Sequence, residues 1–248
     1  MIAVYTCVAG GYDNLIKQPS YHGVEYFCFS EKTDPCQFKG WNMIPLKSPL
    51  GLKDPYLINR FHKINCYGSF KNSEYSIYID GNILLKTNPI TFIESIKGTN
   101  LKIGAFKHPQ RSTIEQELEA CISQNKILHS DLQTVKNFIS DTQDKGFRNQ
   151  NGLSGNYILV RKQDDELLAQ VMKDWWLIVS GKVKRDQLSL QFLLWSRNMK
   201  WSAIDNYISA ENSFLQIPHG GYVDFLPLEL QVFFKKLFIK LKTLNQMI

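Results

Sequence analysis

The chain has 248 residues, with 44% hydrophobic and 21% charged residues and a formal net charge of +6. These values suit a globular protein with a sizeable core and exclude a disordered chain. The mild basic excess favours anionic ligands without choosing among phosphates, nucleic acid and an acidic membrane surface. No run of about 18 uninterrupted apolar residues occurs, so no membrane-spanning helix is expected. Met1 leads directly into Ile2-Ala3-Val4-Tyr5, which leaves no room for a signal peptide. The five cysteines (Cys7, Cys28, Cys36, Cys66, Cys121) are scattered and odd in number. They read as reduced thiols of a cytoplasmic protein rather than a zinc site or disulfide frame.

In chain order, Ile2–Val8 reads as a strand, followed by Ala9-Gly10-Gly11-Tyr12-Asp13. A glycine pair after a strand lets backbone approach a ligand, although this is no GxGxxG. Val24–Phe29 and Trp41–Ile44 read as further strands. Asp54-Pro55 opens a helix as N-cap and N1, running to about Tyr67. Leu57, Phe61 and Ile64 form its apolar face, with Arg60, Lys63 and Tyr67 on a neighbouring one. The β-branched and aromatic run Tyr75–Ile79 reads as a buried strand and ends in Asp80-Gly81-Asn82. Two oxygen-bearing side chains at the carboxyl end of a core strand lie where open α/β sheets place their ligand crevice, and can reach one hard cation. The bland alternative is an ordinary turn.

Asn88-Pro89 opens a short helix to about Ile96. Leu101–Phe106 is a strand that delivers Lys107, His108 and Arg111 to a loop suited to an anion. Helices are expected over 114–125 and 130–141, a polar loop over 143–152, and a strand over Gly155–Val160 capped by Arg161-Lys162. Asp165–Ser180 reads as an amphipathic helix in which Trp175 and Trp176 are core residues. Asp186 reads as the N-cap of a helix to about Arg197. Trp201–Ile204 and Phe214–Ile217 read as short strands near His219-Gly220-Gly221, and a helix closes the chain from Pro227 to Leu244. Alternating strands and helices argue for one α/β domain with a mostly parallel sheet. Residues 1–226 form that domain, and 227–248 a basic amphipathic helix that is part of it or appended to it.

The ordered set Val4-Tyr5-Thr6-Cys7-Val8-Ala9-Gly10-Gly11-Tyr12-Asp13, Tyr26-Phe27-Cys28-Phe29-Ser30, Arg60 with Lys63, and Tyr75 through Ile83 resembles one family. Lys107-His108-Pro109 with Arg111, Gly152-Leu153 with Asn156-Tyr157-Ile158-Leu159, and Arg185-Asp186-Gln187-Leu188-Ser189 with Leu194-Trp195 continue the match. The family is the glycosyltransferase-like domain long catalogued as of unknown function, found in plant cell-wall and mucilage proteins and in bacterial polysaccharide clusters. The resemblance implies a GT-A-like fold, with a mixed, mostly parallel central sheet flanked by helices. It implies a nucleotide-sugar donor and a glycan or lipid-linked glycan acceptor in surface polysaccharide synthesis. It also implies Mn2+ or Mg2+ at a DxD-like motif formed by Asp80 and Asn82, with His219 as a late third ligand.

On that resemblance Ala9, Gly10, Tyr12, Arg60, Lys63, Asp80, Gly81 and Asn82 contact the donor. Lys107, His108, Arg111 and Asn156 face the acceptor or a phosphate. Asp186 serves as base in an inverting enzyme or as a donor-sugar contact in a retaining one, with Gln187 as its partner. The alternative is a non-catalytic nucleotide- or glycan-binding protein, motivated by Asn82 in place of an acid. A nucleic-acid binder is disfavoured because the basic residues follow no nucleic-acid-binding pattern. The lysine-rich apolar helix over 228–244 can pack against the domain or lie on an anionic membrane at the inner face.

Overall fold

The computed structural model describes residues 1–217 apart from 14, 32–36, 47, 49–50, 71, 100 and 182. The described residues form ten strands and seven α-helices, interspersed along the chain. The strands are β1 (Ile2–Val8), β2 (Val24–Ser30), β3 (Gln37–Phe38), β4 (Trp41–Pro45), β5 (Tyr75–Ile79), β6 (Ile83–Leu85), β7 (Ile103–Lys107), β8 (Ser154–Lys162), β9 (Ser202–Ala203) and β10 (Phe214–Gln216). The helices are α1 (Pro55–Asn65), α2 (Ile90–Lys97), α3 (Ile114–Ser123), α4 (His129–Asp144), α5 (Glu166–Ser180), α6 (Leu190–Ser196) and α7 (Ala210–Ser213).

Eight strands form one sheet in the order β3-β4-β2-β1-β5-β8-β7-β9. The β4-β2-β1-β5 half is parallel throughout. Strand β8 runs antiparallel to both β5 and β7, which makes the sheet mixed. The chain therefore has the α/β architecture expected for a GT-A-type domain. The first strands step outward from β1, and β5 returns to pair on its other edge. The switch point falls between β1 and β5, where such sheets open a crevice at the strand carboxyl ends.

Period-2 alternation decides which side chains meet which helices. Ala3, Tyr5 and Cys7 of β1, with Tyr78 of β5, face a core that contains Ile64 of α1 and Val171, Met172 and Trp175 of α5. Val4, Ile77 and Ile79 face the opposite core with Phe92, Ile93 and Ile96 of α2. Trp175 is a fully buried core residue, as expected, while Trp176 is partly buried and packs edge-on against Phe61 at the margin of the core. Because Tyr78 faces α1, Asp80 two residues on leaves the sheet on the same side.

Several details differ from the sequence expectation. Strand β6 is unanticipated; its three residues pair antiparallel with β10. Helix α4 continues to Asp144, so the polar segment before β8 is shorter than the hydrophilic stretch implied. Arg161 is not a strand cap. It is fully buried, donating to the carbonyls of Lys63 (2.8 Å) and Ile64 (3.3 Å) at the end of α1 and contacting Tyr5 Oη. A cation aimed at the last carbonyls of a helix satisfies their free acceptors and opposes the negative dipole end. Among the described residues, no helix is long and apolar enough to cross a membrane. The expected helix over 227–248, with its membrane-facing stretch 228–244, lies outside the described residues.

Candidate active site

A cavity of about 730 Å³ opens at the carboxyl ends of β1 and β5. That volume lies within the range of small-molecule sites. Its wall begins at the turn after β1, where Gly10 and Gly11 have φ of 65° and 63°. A Cβ on Gly10 would lie 2.6 Å from Pro55 Cβ, so glycine is needed for both its backbone and its closeness to the start of α1. Gly10 N–H donates to Glu31 Oε1 at 2.8 Å, fixing the turn. The Asp54 carboxylate accepts from Tyr56 N at 2.9 Å and Pro55 occupies the first turn, as the Asp-Pro pair indicated. We expect Gly10→Ala to destabilise the fold by about 1–3 kcal/mol through strain and the clash. Urea denaturation reads this, and an unchanged midpoint would refute it.

The centre of the site is a network of four charged side chains. Lys63 is 1% exposed although it carries an ammonium group. Its Nζ lies 2.7 Å from Asp186 Oδ2 and 3.6 Å from Asp80 Oδ1. Arg60 Nε lies 3.5 Å from Asp186 Oδ1, with its guanidinium over the Tyr56 ring. Tyr78 Oη donates to Asp80 Oδ1 at 2.9 Å. Burial, and then the neighbouring Asp80 charge, push the Tyr78 phenol well up, so it stays a donor. The helical i, i+3 spacing of Arg60 and Lys63 brings both to Asp186, and Lys63 also to Asp80 after β5.

Asp186 is 2% exposed and opens a 3₁₀ turn, Asp186–Leu188. It is not a helix N-cap. No backbone N–H is capped by its side chain, because the carboxylate is committed to Lys63 and Arg60. Burial alone would raise its pKa, but Arg60, then Lys63 and Arg185, overcome this and hold the carboxyl well below the usual range. A carboxylate so stabilised as an anion is a weak proton acceptor.

Beyond β8 lies a second charged cluster. Arg111 Nε donates to Glu117 Oε2 at 2.6 Å, and Arg185 Nη2 lies 3.5 Å from Glu117 Oε1. Glu117 is 1% exposed. His108 Nδ1 accepts the backbone N–H groups of Gln110 (3.2 Å) and Arg111 (3.1 Å), which folds the loop. Burial, and then Arg111, lower the pKa of His108. Arg185 also donates to Gln187 Oε1 at 3.2 Å. Glu117 has no sequence signal of its own. It looks like any acid in the first turn of a helix, and only its burial among three basic groups reveals the part it plays.

Ala9, Gly10, Tyr12, Arg60, Lys63, Asp80, Gly81, His108, Arg111, Asn156, Asp186 and Gln187 all line the cavity. Lys107 does not. Its backbone N–H donates to Asp205 and its Nζ to Asn206 Oδ1 at 3.2 Å, which turn it toward the far side of the loop. Asn82 also lies behind the wall, 4% exposed, with Nδ2 donating to Ile217 O and its own carbonyl accepting Ile217 N at 2.8 Å. Its Oδ1 is buried without a hydrogen-bond partner. His219 lies outside the described residues. Among the described residues no three His, Cys, Asp or Glu side chains cluster as a metal site. Tyr56, Lys126 and Arg185 also line the cavity and were not named as site residues from the sequence, while Tyr78 supports Asp80 from the core behind it.

Among solved structures, the chain is similar to core-mannan synthase A (CmsA/Ktr4) from Aspergillus fumigatus in its Mn/GDP form. Identity is 12% over 88% of this chain and 74% of that one, with a TM-score of 0.44. It is also similar to mouse xyloside xylosyltransferase 1 in its apo form, at 10% identity over 82% of this chain and 83% of that one, with a TM-score of 0.43. No curated protein sequence matches the chain. The model of the TOD1/MUCI70 glycosyltransferase-like domain matches residues 30–203, which include α1, Asp80, the His108–Glu117 cluster, Asn156 and Asp186. With more than half of its length matched, the chain belongs to the TOD1/MUCI70 glycosyltransferase-like domain family.

Proposed function

We propose that this chain transfers a sugar from a nucleotide-sugar donor to a glycan or lipid-linked glycan acceptor in surface polysaccharide synthesis. The observation that carries this reading is the Arg60–Lys63–Asp186–Asp80 network at the β1/β5 switch point of a roomy cavity. Breaking a sugar–phosphate bond places charge on the leaving diphosphate, and preorganised cations that meet it lower the barrier. Arg60 and Lys63 are held for that task by Asp186. The turn at Ala9, Gly10 and Tyr12 flanks the nucleoside. Gln187, beside Asp186, faces the sugar.

The Asp80 carboxylate lines the cavity, and two residues on Asn82 Oδ1 is a buried acceptor without a partner. Mn2+ and Mg2+ take oxygen ligands, and the Asp80 carboxylate would offer one from the cavity wall, whereas Asn82, with its amide on Ile217, lies behind that wall. A cation there would supply further neutralisation of the diphosphate. A second reading, a nucleotide- or glycan-binding protein without transfer, draws on Asn82, whose amide serves the Ile217 backbone.

Thermal melting with UDP, GDP and CMP, each with and without Mn2+, tests the proposal. One nucleotide is expected to raise the melting temperature, and Asp80→Ala to remove most of the metal-dependent part. No shift with any nucleotide would refute it. A shift without sugar release or transfer from the matching nucleotide sugar would favour the binding reading. We place the protein in the cytoplasm, with membrane contact through residues 228–244 as part of the same proposal.

A further inference from the structure

Three buried polar residues form a relay that ends in the cavity. Gln191 is 4% exposed, Ser154 2% and Asn156 2%. Gln191 Nε2 donates to Ser154 Oγ at 2.8 Å, and Ser154 Oγ donates to Asn156 Oδ1 at 2.6 Å. The relay runs from Gln191 through Ser154 to Asn156, as the amide orientations in the structure set it. A serine hydroxyl carries one proton. Since its oxygen receives the Gln191 N–H, that proton is spent on Asn156 Oδ1. The Asn156 amide is thereby fixed with its oxygen inward, and Nδ2 is left over.

Asn156 Nδ2 is buried, has no hydrogen-bond partner, and belongs to a residue that lines the cavity. A buried donor left unmade costs free energy, so such an atom in an ordered relay marks a place for a ligand. An amide Nδ2 only donates, so its partner is an oxygen acceptor. The sheet orders the possible partners. The β1 turn, the Asp80 end of β5 and the Asn156 end of β8 follow one another across neighbouring strands. Asp80 N–H donates to Tyr157 O at 2.8 Å, which sets Asn156 beside the Asp80–Gly81 corner. With the nucleoside at the β1 turn and the diphosphate at Lys63 and Asp80, the next group along that line is the glycosyl unit.

We propose that Asn156 is a specificity-determining residue that donates to one hydroxyl oxygen of the transferred sugar, its amide oriented by Ser154 and Gln191. This rests on the transferase reading above. The chemistry gives it a selective character. A site built to hydrogen-bond a hydroxyl rejects the analogue that lacks it, because the buried donor is then unpaired again.

The test titrates the full chain with UDP, GDP and CMP, with their common nucleotide sugars, and with monodeoxy analogues of the best-binding sugar. Asn156→Ala is expected to weaken the nucleotide sugar about tenfold while shifting the bare nucleotide less than about twofold. One deoxy analogue should bind wild type and variant alike. Asn156→Asp, which replaces the donor by an acceptor, should lose at least as much as alanine. Ser154→Ala, which frees the amide to turn, should erode discrimination against that same analogue. Equal losses for bare nucleotide and nucleotide sugar would overturn the proposal. So would selectivity retained in Asn156→Asp, or an Asn156→Ala penalty undiminished for every deoxy analogue. Should Asn156→Ala fail to fold, the wild type itself must still discriminate about tenfold against one deoxy analogue, and uniform affinity would overturn the inference. If no nucleotide or nucleotide sugar binds the wild type, the transferase reading falls and this inference falls with it.

Discussion

Lys63→Met is expected to destabilise the protein by about 3–5 kcal/mol, the range for removing one partner of a buried ion pair. Lys63 and Asp186 have side chains only 2% and 3% exposed, so little solvent can replace the lost ammonium. The Asp186 carboxylate would keep Arg60 at 3.5 Å as its nearest remaining cation, and Asp80 would lose its neighbour at 3.6 Å. Urea denaturation measures the effect, and a loss below about 1 kcal/mol would show that the pair contributes little. Nucleotide affinity should drop together with stability, by about tenfold or more, if the ammonium meets the diphosphate. The double variant Lys63→Met/Asp186→Asn should be more stable than the sum of the single losses, because removing both charges strands neither in the interior.

Asp186→Asn is expected to carry a similarly large penalty, with a pH dependence that identifies its cause. The folded-state pKa of Asp186 is lowered relative to an unfolded value of about 3.9. A depressed carboxyl pKa means the unfolded chain takes up the proton first as pH falls. The contribution is therefore fully present above about pH 5, begins to fade near the unfolded pKa, and is lost as pH drops through the folded one. The stability gap between wild type and Asp186→Asn should stay level from pH 8 to about 5 and narrow in more acidic solution. Denaturation series at fixed ionic strength read this. A gap that narrows between pH 6 and 8 would contradict the assigned state, and would restore Asp186 as a group able to accept a proton under working conditions.

What the sequence reveals and what it withholds divide along a physical line. Strand β5 and its terminal Asp80 were legible because an apolar run that stops at an acid is a local pattern. Helix α1 was legible for the same reason, since Asp54 and Pro55 sit together at its start. The partners of Asp186 were not legible. A lone acid ahead of an apolar segment satisfies the rule for an N-cap, and nothing within ten residues shows that its counter-ions come from a helix more than a hundred residues earlier. Arg161 was misread in the same way. Two basic residues at a strand end look like a solvated boundary until the end of α1 is seen to lie above them. Asn82 shows the reverse case: its position in the motif was legible, but its amide hydrogen bond to the chain 135 positions later was not.

That last link bears on how the protein comes to be made. Among the described residues, Ile83–Leu85 find their strand partner in Phe214–Gln216, and Asn82 finds its backbone partner in Ile217. During synthesis the corner that follows Asp80 is translated early, yet it stays without these partners until almost the whole described chain has left the ribosome. Closing so long a loop is slow compared with local helix formation. The sheet, α1 and α5 can therefore assemble first, and the corner beside Asp80 is fastened among the last steps, so a chain stalled short of residue 214 would hold most of its core and lack a finished ligand cavity.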